Sequence, residues 1–342
     1  MRAIAAFMVV FNHAGVPYIS GGLGVLMFFV LSGFLITWLL LRENDEIGSV
    51  SLRKFYIRRS LRIFPAFYCY AAVLIVFVLV RGHTKLIVPQ MLAALLYYNN
   101  YYQALAGDPN TGFSHTWSLA IEEQFYLLWP MAFLLLRGNY RRMSRFLMGA
   151  IAVIWIYREL LVFVFKVNQR YIYEAFDTRA DHLLIGCLLA VALRARLAPR
   201  LWDWVTGRPW AAAVTMGLLG LSNIGEAVYG HLYRDSVSFI VNPLLTAIWI
   251  PQLIALRHTP MWSWTGWPWL RYLGAISYSI YLYQQLLFNA GTKLLEHYPL
   301  VLQVAATIAL IVAIASLSHH FVERPFLLLK TRFKGTAAGA AP

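Results

Sequence analysis

The chain has 342 residues, 60% of them hydrophobic and 15% aromatic, with only 13% charged. Soluble domains carry about 45–50% apolar and roughly 25% charged residues, so a water-facing surface could not be covered here and a soluble globular fold is excluded. The net charge of +14 would suggest a nucleic-acid partner in a soluble chain. Here the charges fall between hydrophobic runs, so membrane topology accounts for them and no nucleic-acid partner is implied.

A helix crossing ~30 Å of hydrocarbon needs about 20 largely apolar residues. Runs near that length follow one another at 2–16, 22–41, 63–81, 117–136, 146–166, 181–194, 210–224, 237–256, 272–291 and 299–321. Lipid cannot satisfy open backbone groups, and no alternating strand pattern occurs. The expected fold is therefore all-α, a polytopic transmembrane helical bundle of about ten spans. One domain is expected over 1–334, followed by a disordered GTAAGAAP tail over 335–342. Sorting Lys and Arg by alternate connections puts 21 on one side, including Arg2, Arg42, Arg53, Lys54 and Arg58, and 8 on the other. Positive charge stays inside, which places both termini and the 42–62 loop in the cytoplasm of a multi-pass bacterial inner-membrane protein.

The first span is short and opens abruptly at Met1-Arg2, with no cleavable leader read before it. The 86–105 stretch is amphipathic and reads as re-entrant or interfacial. Tyr97, Tyr98, Tyr101 and Tyr102, and the cluster Trp262, Trp264, Trp267 and Trp269, fit interfacial aromatic belts. Cys69 and Cys187 lie inside hydrophobic segments without CxxC spacing, so neither a disulfide framework nor a metal site is expected.

An ionisable side chain within a span costs at least ~2.5–3.5 kcal/mol, so each needs a reason. The first span, RAIAAFMVVFNHAG, carries His13, with Arg2 eleven residues earlier on the same helix face. The fourth span opens FSHTWSLAIEEQFYLLWP, with Glu122 and Glu123 near its outer end and His115 just outside. His13 and the glutamates are thus expected at one depth. An imidazole oriented by a carboxylate is a general-base arrangement; a buried pair that merely locks two helices is the alternative. Adjacent helical residues point about 100° apart, so one glutamate, assigned as Glu122, is expected to face His13.

The loop SVSLRKFYIRRSLRIFP gathers Arg58, Arg59 and Arg62 on one helix face at the cytoplasmic entry to the third span. Arginine forks there can grip phosphates, although ordinary positive-inside topology would also place them. In EAFDTRADHLLIG, Asp177 and Asp181 flank Arg179 at the outer mouth of the sixth span. They read as a self-neutralising ion network or as the lining of an acceptor pocket. Arg158 and Glu159 in the fifth span are expected to be a buried or lumen-facing ion pair.

Read together, RAIAAFMVVFNHAG, GGLGVLMFFVLSGFLIT, FYIRRSLRIFPAFY, FSHTWSLAIEEQFYLLWP, FDTRADHLLIGCLLA, LGAISYSIYLYQQ and HHFVERPF resemble, in order, the acyltransferase 3 family of integral-membrane acyltransferases. The resemblance implies transfer of an acyl group from cytoplasmic acyl-CoA, with acetyl-CoA as the donor favoured and no tightly bound cofactor, to a hydroxyl of a glycan or glycosylated acceptor at the extracytoplasmic face. It carries the first-span histidine onto His13, its companion arginine onto Arg2, the basic pair onto Arg59 and Arg62, the acidic pair onto Glu122 and Glu123, and the closing acidic residue onto Glu323. Two departures stand out: Gln284 occupies a position where family members often have histidine, and the usual stretch ahead of Arg2 is missing. The expected mechanism has the arginines holding the acyl-CoA phosphates while His13, oriented by Glu122, deprotonates the acceptor hydroxyl; an acyl-His13 intermediate is a variant. The rival class is a proton-coupled transporter using His13, Glu122 and Asp181 as a relay.

Overall fold

The computed structural model describes residues 1–81, 88–136, 138–294 and 297–330. The tail expected to be disordered, 335–342, lies outside them. Among the described residues there is no strand, and the chain is all-helical as composition demanded. The helices in chain order are α1 (Arg2–His13), α2 (Gly21–Ile47), α3 (Leu52–Arg81), α4 (Val88–Leu95), α5 (Asn99–Ala106), α6 (Trp117–Leu135), α7 (Tyr140–Glu159) and α8 (Gln169–Glu174). They continue with α9 (Phe176–Arg194), α10 (Pro199–Thr206), α11 (Pro209–Tyr233), α12 (Phe239–Leu256), α13 (Pro268–Ala275), α14 (Ser277–Leu294), α15 (Leu300–Ser318) and α16 (Arg324–Lys330).

Length and apolarity together single out five spanning helices among the described residues, at Gly21–Ile47, Leu52–Val80, Tyr140–Val164, Pro209–Leu256 and Leu300–Leu329. A sixth is added if Gln169–Arg194 and Pro199–Thr206, bent by 104°, count as one. That is fewer than the ten expected, for physical reasons visible in the chain. Helix α1 has 12 residues, which at 1.5 Å each is about 18 Å. Helix α6 carries Glu122, Glu123 and Gln124 in its first half. The 48-residue run over 209–256 contains Gly230, whose φ of 70° with ψ of −154° breaks the helix. A left-handed φ of this kind costs a residue with a Cβ, and glycine is exempt. The break lets α11 fold back so that it packs against α12.

Helix α2 is the centre of the bundle. It is apolar on nearly every face and buried along most of its length, as expected for a helix surrounded by others. Its tightest neighbour is α9. A Cβ added at Gly33 would stand 1.9 Å from the Leu183 carbonyl oxygen, and one added at Gly186 would stand 2.0 Å from that of Val30. Without a hydrophobic drive between helices in lipid, such small-residue crossings supply the close backbone packing that holds them together.

The 86–105 stretch, expected to be re-entrant or interfacial, forms α4 and α5 over its described part. The pair dips against the middle of α3, where the Tyr97 ring stacks on Phe64 at 5.7 Å and meets Phe67 at 4.9 Å. Tyr101 donates its hydroxyl to Asp177 at 2.7 Å. Buried amides in this region satisfy one another, Gln124 donating to the Tyr97 carbonyl and to Asn100, both at 2.9 Å.

Candidate active site

Helices α1, α2, α3, α6 and α14, with the turn before α16, enclose a cavity of about 460 Å³. Its lining on α2 runs from Val25 to Leu40, fifteen residues or about 22 Å of helix. Volume over length gives a cross-section on the order of 20 Å², wide enough for one extended chain. Along α2 its walls are aliphatic and aromatic apart from Ser32, while the rest of the polar lining is on the facing helices.

The three arginines expected at a phosphate site, Arg58, Arg59 and Arg62, line this cavity, and so does Arg2, expected as the companion of His13. They come from two helices. Arg2 donates from Nε to Ser277 Oγ at 3.1 Å. Arg58 lies at the mouth, paired with Glu43 at 2.7 Å. Arg59 stacks on Tyr126, its Cζ 3.5 Å from the ring centroid, and its Nε has no hydrogen-bond partner. Stacked, forked guanidinium groups of this kind suit a phosphate better than lysine would.

Glu122 and Glu123 both line the same cavity. Glu122 accepts from Ser32 Oγ at 2.5 Å. The pairing of His13 with Glu122 is corrected. His13 is exposed, does not line the cavity, and bonds through Nδ1 to the Val9 carbonyl of its own helix at 2.8 Å. Asn12, beside it, sits against Gly21 of α2, whereas Glu122 sits against Ser32, eleven residues or about 16 Å further along. Depth estimated from span boundaries missed this because α1 is shorter than a full crossing. The carbonyl nevertheless orients the ring as was asked of Glu122: it can only accept, so Nδ1 donates to it and Nε2 is left facing away from it.

The inner end of the cavity, toward His13, is lined by Phe28, Ser118 and Tyr281. Ser118 and Tyr281 share a hydrogen bond of 2.5 Å, and the tyrosine hydroxyl also donates to the His115 carbonyl at 3.0 Å. His115 sits behind this layer in the turn before α6, outside the spans. Its Nδ1 bonds Gln285 Oε1 at 2.9 Å, and its Nε2 has no partner. Burial lowers its pKa to about 4, against the opposing bond from Gln285, so it is neutral near pH 7.

The cavity also holds residues that the sequence reading did not place there. His319 and Glu323 both line it, 3.3 Å apart, and Glu323 accepts from Ser279 at 2.5 Å. Their i, i+4 spacing in HHFVERPF was the available signal. Tyr278, Ser32 and Ser118 carried no signal beyond their helical position.

At the other end of the bundle, the expected Asp177–Arg179–Asp181 network does not form. Asp177 accepts from Tyr101 and from Tyr171 at 2.7 and 3.0 Å. Asp181 pairs instead with Arg158 across α7 and α9 at 2.9 Å, both fully buried, and accepts from Trp155 Nε1 at 2.9 Å. Arg158 is thereby taken from the partnership expected with Glu159. Arg179 is fully buried, and its guanidinium stands among aromatic rings. A helix wheel shows which residues share a face, and these pairings run between faces of different helices.

An acyltransferase domain family is matched over residues 1–320, and the chain belongs to that family. It is 31% identical to the peptidoglycan O-acetyltransferase OatA of Listeria monocytogenes, over 95% of this chain and 54% of that protein. It is 30% identical to the putative peptidoglycan O-acetyltransferase YrhL of Bacillus subtilis, over 95% and 54%. To a putative O-acetyltransferase of Staphylococcus aureus strain COL it is 29% identical, over 95% and 56%. The chain spans about half the length of these curated relatives. No solved structure matches it.

Proposed function

We propose that this family member is a membrane O-acyltransferase that moves an acyl group, with acetyl favoured, from cytoplasmic acyl-CoA to a hydroxyl of a glycan at the opposite membrane face. The observation that carries the reading is the narrow cavity running along α2, with four arginines lining it and its inner end turned toward the helix terminus that bears His13. The donor's phosphates would lie against Arg58, Arg59 and Arg62, with Arg2 beside its extended arm, and the thioester would reach Ser118 and Tyr281. The relatives named as peptidoglycan O-acetyltransferases support a polysaccharide acceptor. The membrane is taken as the bacterial inner membrane, with both termini cytoplasmic and the short or polar helices α1, α6 and α14 completing about ten crossings of one domain over 1–334.

In this mechanism His13 Nε2 removes the proton from the acceptor hydroxyl as the oxygen attacks the thioester carbon. The carbon–sulfur bond then breaks, and coenzyme A leaves as the thiol after protonation. Val9 holds the tautomer. Glu122 is placed as the counter-charge to Arg2 rather than as the partner of His13, and Glu123 as a second carboxylate beside Arg59. General-base help is worth about 10²–10⁴-fold. The test is label transfer from radiolabelled acetyl-CoA to a panel of glycans by purified protein. His13→Ala is expected to lower the rate by that factor while donor binding persists; equal incorporation by wild type and variant refutes the assignment. Movement of intact donor or acceptor across proteoliposomes without acylation would favour the transporter reading instead.

A further inference from the structure

Arg179 has no exposed surface, and its Nε, Nη1 and Nη2 all lack a hydrogen-bond partner. Four rings surround its Cζ: Phe239 at 3.9 Å, Tyr173 at 5.0 Å, Trp117 at 5.8 Å and Phe29 at 5.9 Å. The two neighbouring arginines differ. Arg158 is paired with Asp181, and Arg234, which also lies over Tyr173, is paired with Asp235 at 2.7 Å. No carboxylate forms an ion pair with Arg179 among the described residues; Asp181, already paired with Arg158, acts on it only through space, and Glu174 and Glu226 feel its charge in the same way. Ring faces return part of what a buried cation loses in leaving water, but they accept none of its N–H groups. A fully buried donor set with no acceptor calls for one.

Its position fits the reading of a glycan acceptor, on which the inference rests. Tyr173 stands beside Gly22 at the start of α2, the end opposite Glu43 and Arg58, and is the partly exposed wall of the box. Phe29, on the other side, also lines the long cavity. Arg179 therefore lies between the open end of the bundle and the inner end of the donor channel. We propose that Arg179 binds a carboxylate carried by the acceptor glycan, entering past Tyr173, and so positions the acceptor's hydroxyls against the donor. A planar carboxylate can accept two N–H groups in the plane of the guanidinium fork.

The test measures the thermal unfolding midpoint of the purified full chain in detergent at fixed ionic strength. D-glucuronate is the carboxylate probe, D-glucose its neutral counterpart and inorganic phosphate the tetrahedral anion. Glucuronate is expected to raise the midpoint saturably, phosphate at least tenfold more weakly, and glucose not at all. Arg179→Gln is expected to abolish the glucuronate response while stabilisation by coenzyme A persists. Arg179→Lys, which keeps the charge without the fork, covers the case in which the glutamine variant fails to fold, and is expected to weaken the response at least tenfold. An absent wild-type response, an equal response to glucose or phosphate, or an undiminished response in the lysine variant overturns the site. Label transfer from acetyl-CoA is followed in parallel. Transfer without a glucuronate response refutes only the Arg179 site, whereas a glucuronate response without transfer refutes only the acyl-transfer reading.

Discussion

Replacing Gly33 by alanine tests whether the α2–α9 crossing holds the channel in shape. The new methyl would lie 1.9 Å from the Leu183 carbonyl oxygen, inside any tolerable contact, and that oxygen belongs to a helix backbone that cannot swing aside. The two helices must separate by more than an ångström, undoing the packing of Val30, Phe34 and Leu183, and overpacking of this kind costs about 1–3 kcal/mol, sometimes more. Helix α2 also presents Ser32, Ile36 and Leu40 to the cavity, so the shift also moves Ser32 from Glu122. Gly217→Ala in α11 is the control, since its methyl meets nothing within 4 Å and alanine favours a helix by roughly 0.5–1 kcal/mol over glycine. Unfolding midpoints in detergent, read with label transfer from acetyl-CoA, should fall together for Gly33→Ala and stay level or rise for Gly217→Ala. Equal stability and activity in the two variants would refute the reasoning.

Arg158→Met should destabilise the protein by about 3–5 kcal/mol, because it leaves Asp181 charged and buried without its partner, and a double variant with Asp181→Leu should recover most of the loss; midpoints of the three variants check this. Arg62→Gln, at the donor mouth, should raise KM for acetyl-CoA severalfold with little change in kcat, measured by initial rates over a donor series. His115 has a native pKa lowered by burial from 6.5 to about 4, so the unfolded chain takes up its proton first. Stability is expected to fall as pH drops from about 6.5 toward 4, by about 3 kcal/mol in all, and His115→Gln should flatten that part of a midpoint-against-pH curve.

The sequence by itself determined the all-helical membrane class, because a chain with so few charges can hide its backbone in lipid only by bonding it within helices. It also marked the residues that carry chemistry, because each ionisable group in an apolar run is costly enough to be conspicuous. Arg2, Arg58, Arg59, Arg62, Glu122 and Glu123, drawn from α1, α3 and α6, all meet at one cavity. Periodicity could not say who pairs with whom. The partner of Asp181 is Arg158 on another helix, Arg179 is left to rings from α2, α6, α8 and α12, and His13 is oriented by Val9 one turn back rather than by Glu122. Those outcomes depend on helix register and axial offset. Here the offset is set by the backbone contact at Gly33 and Gly186 and by the shortness of α1, and neither is visible until the helices are packed.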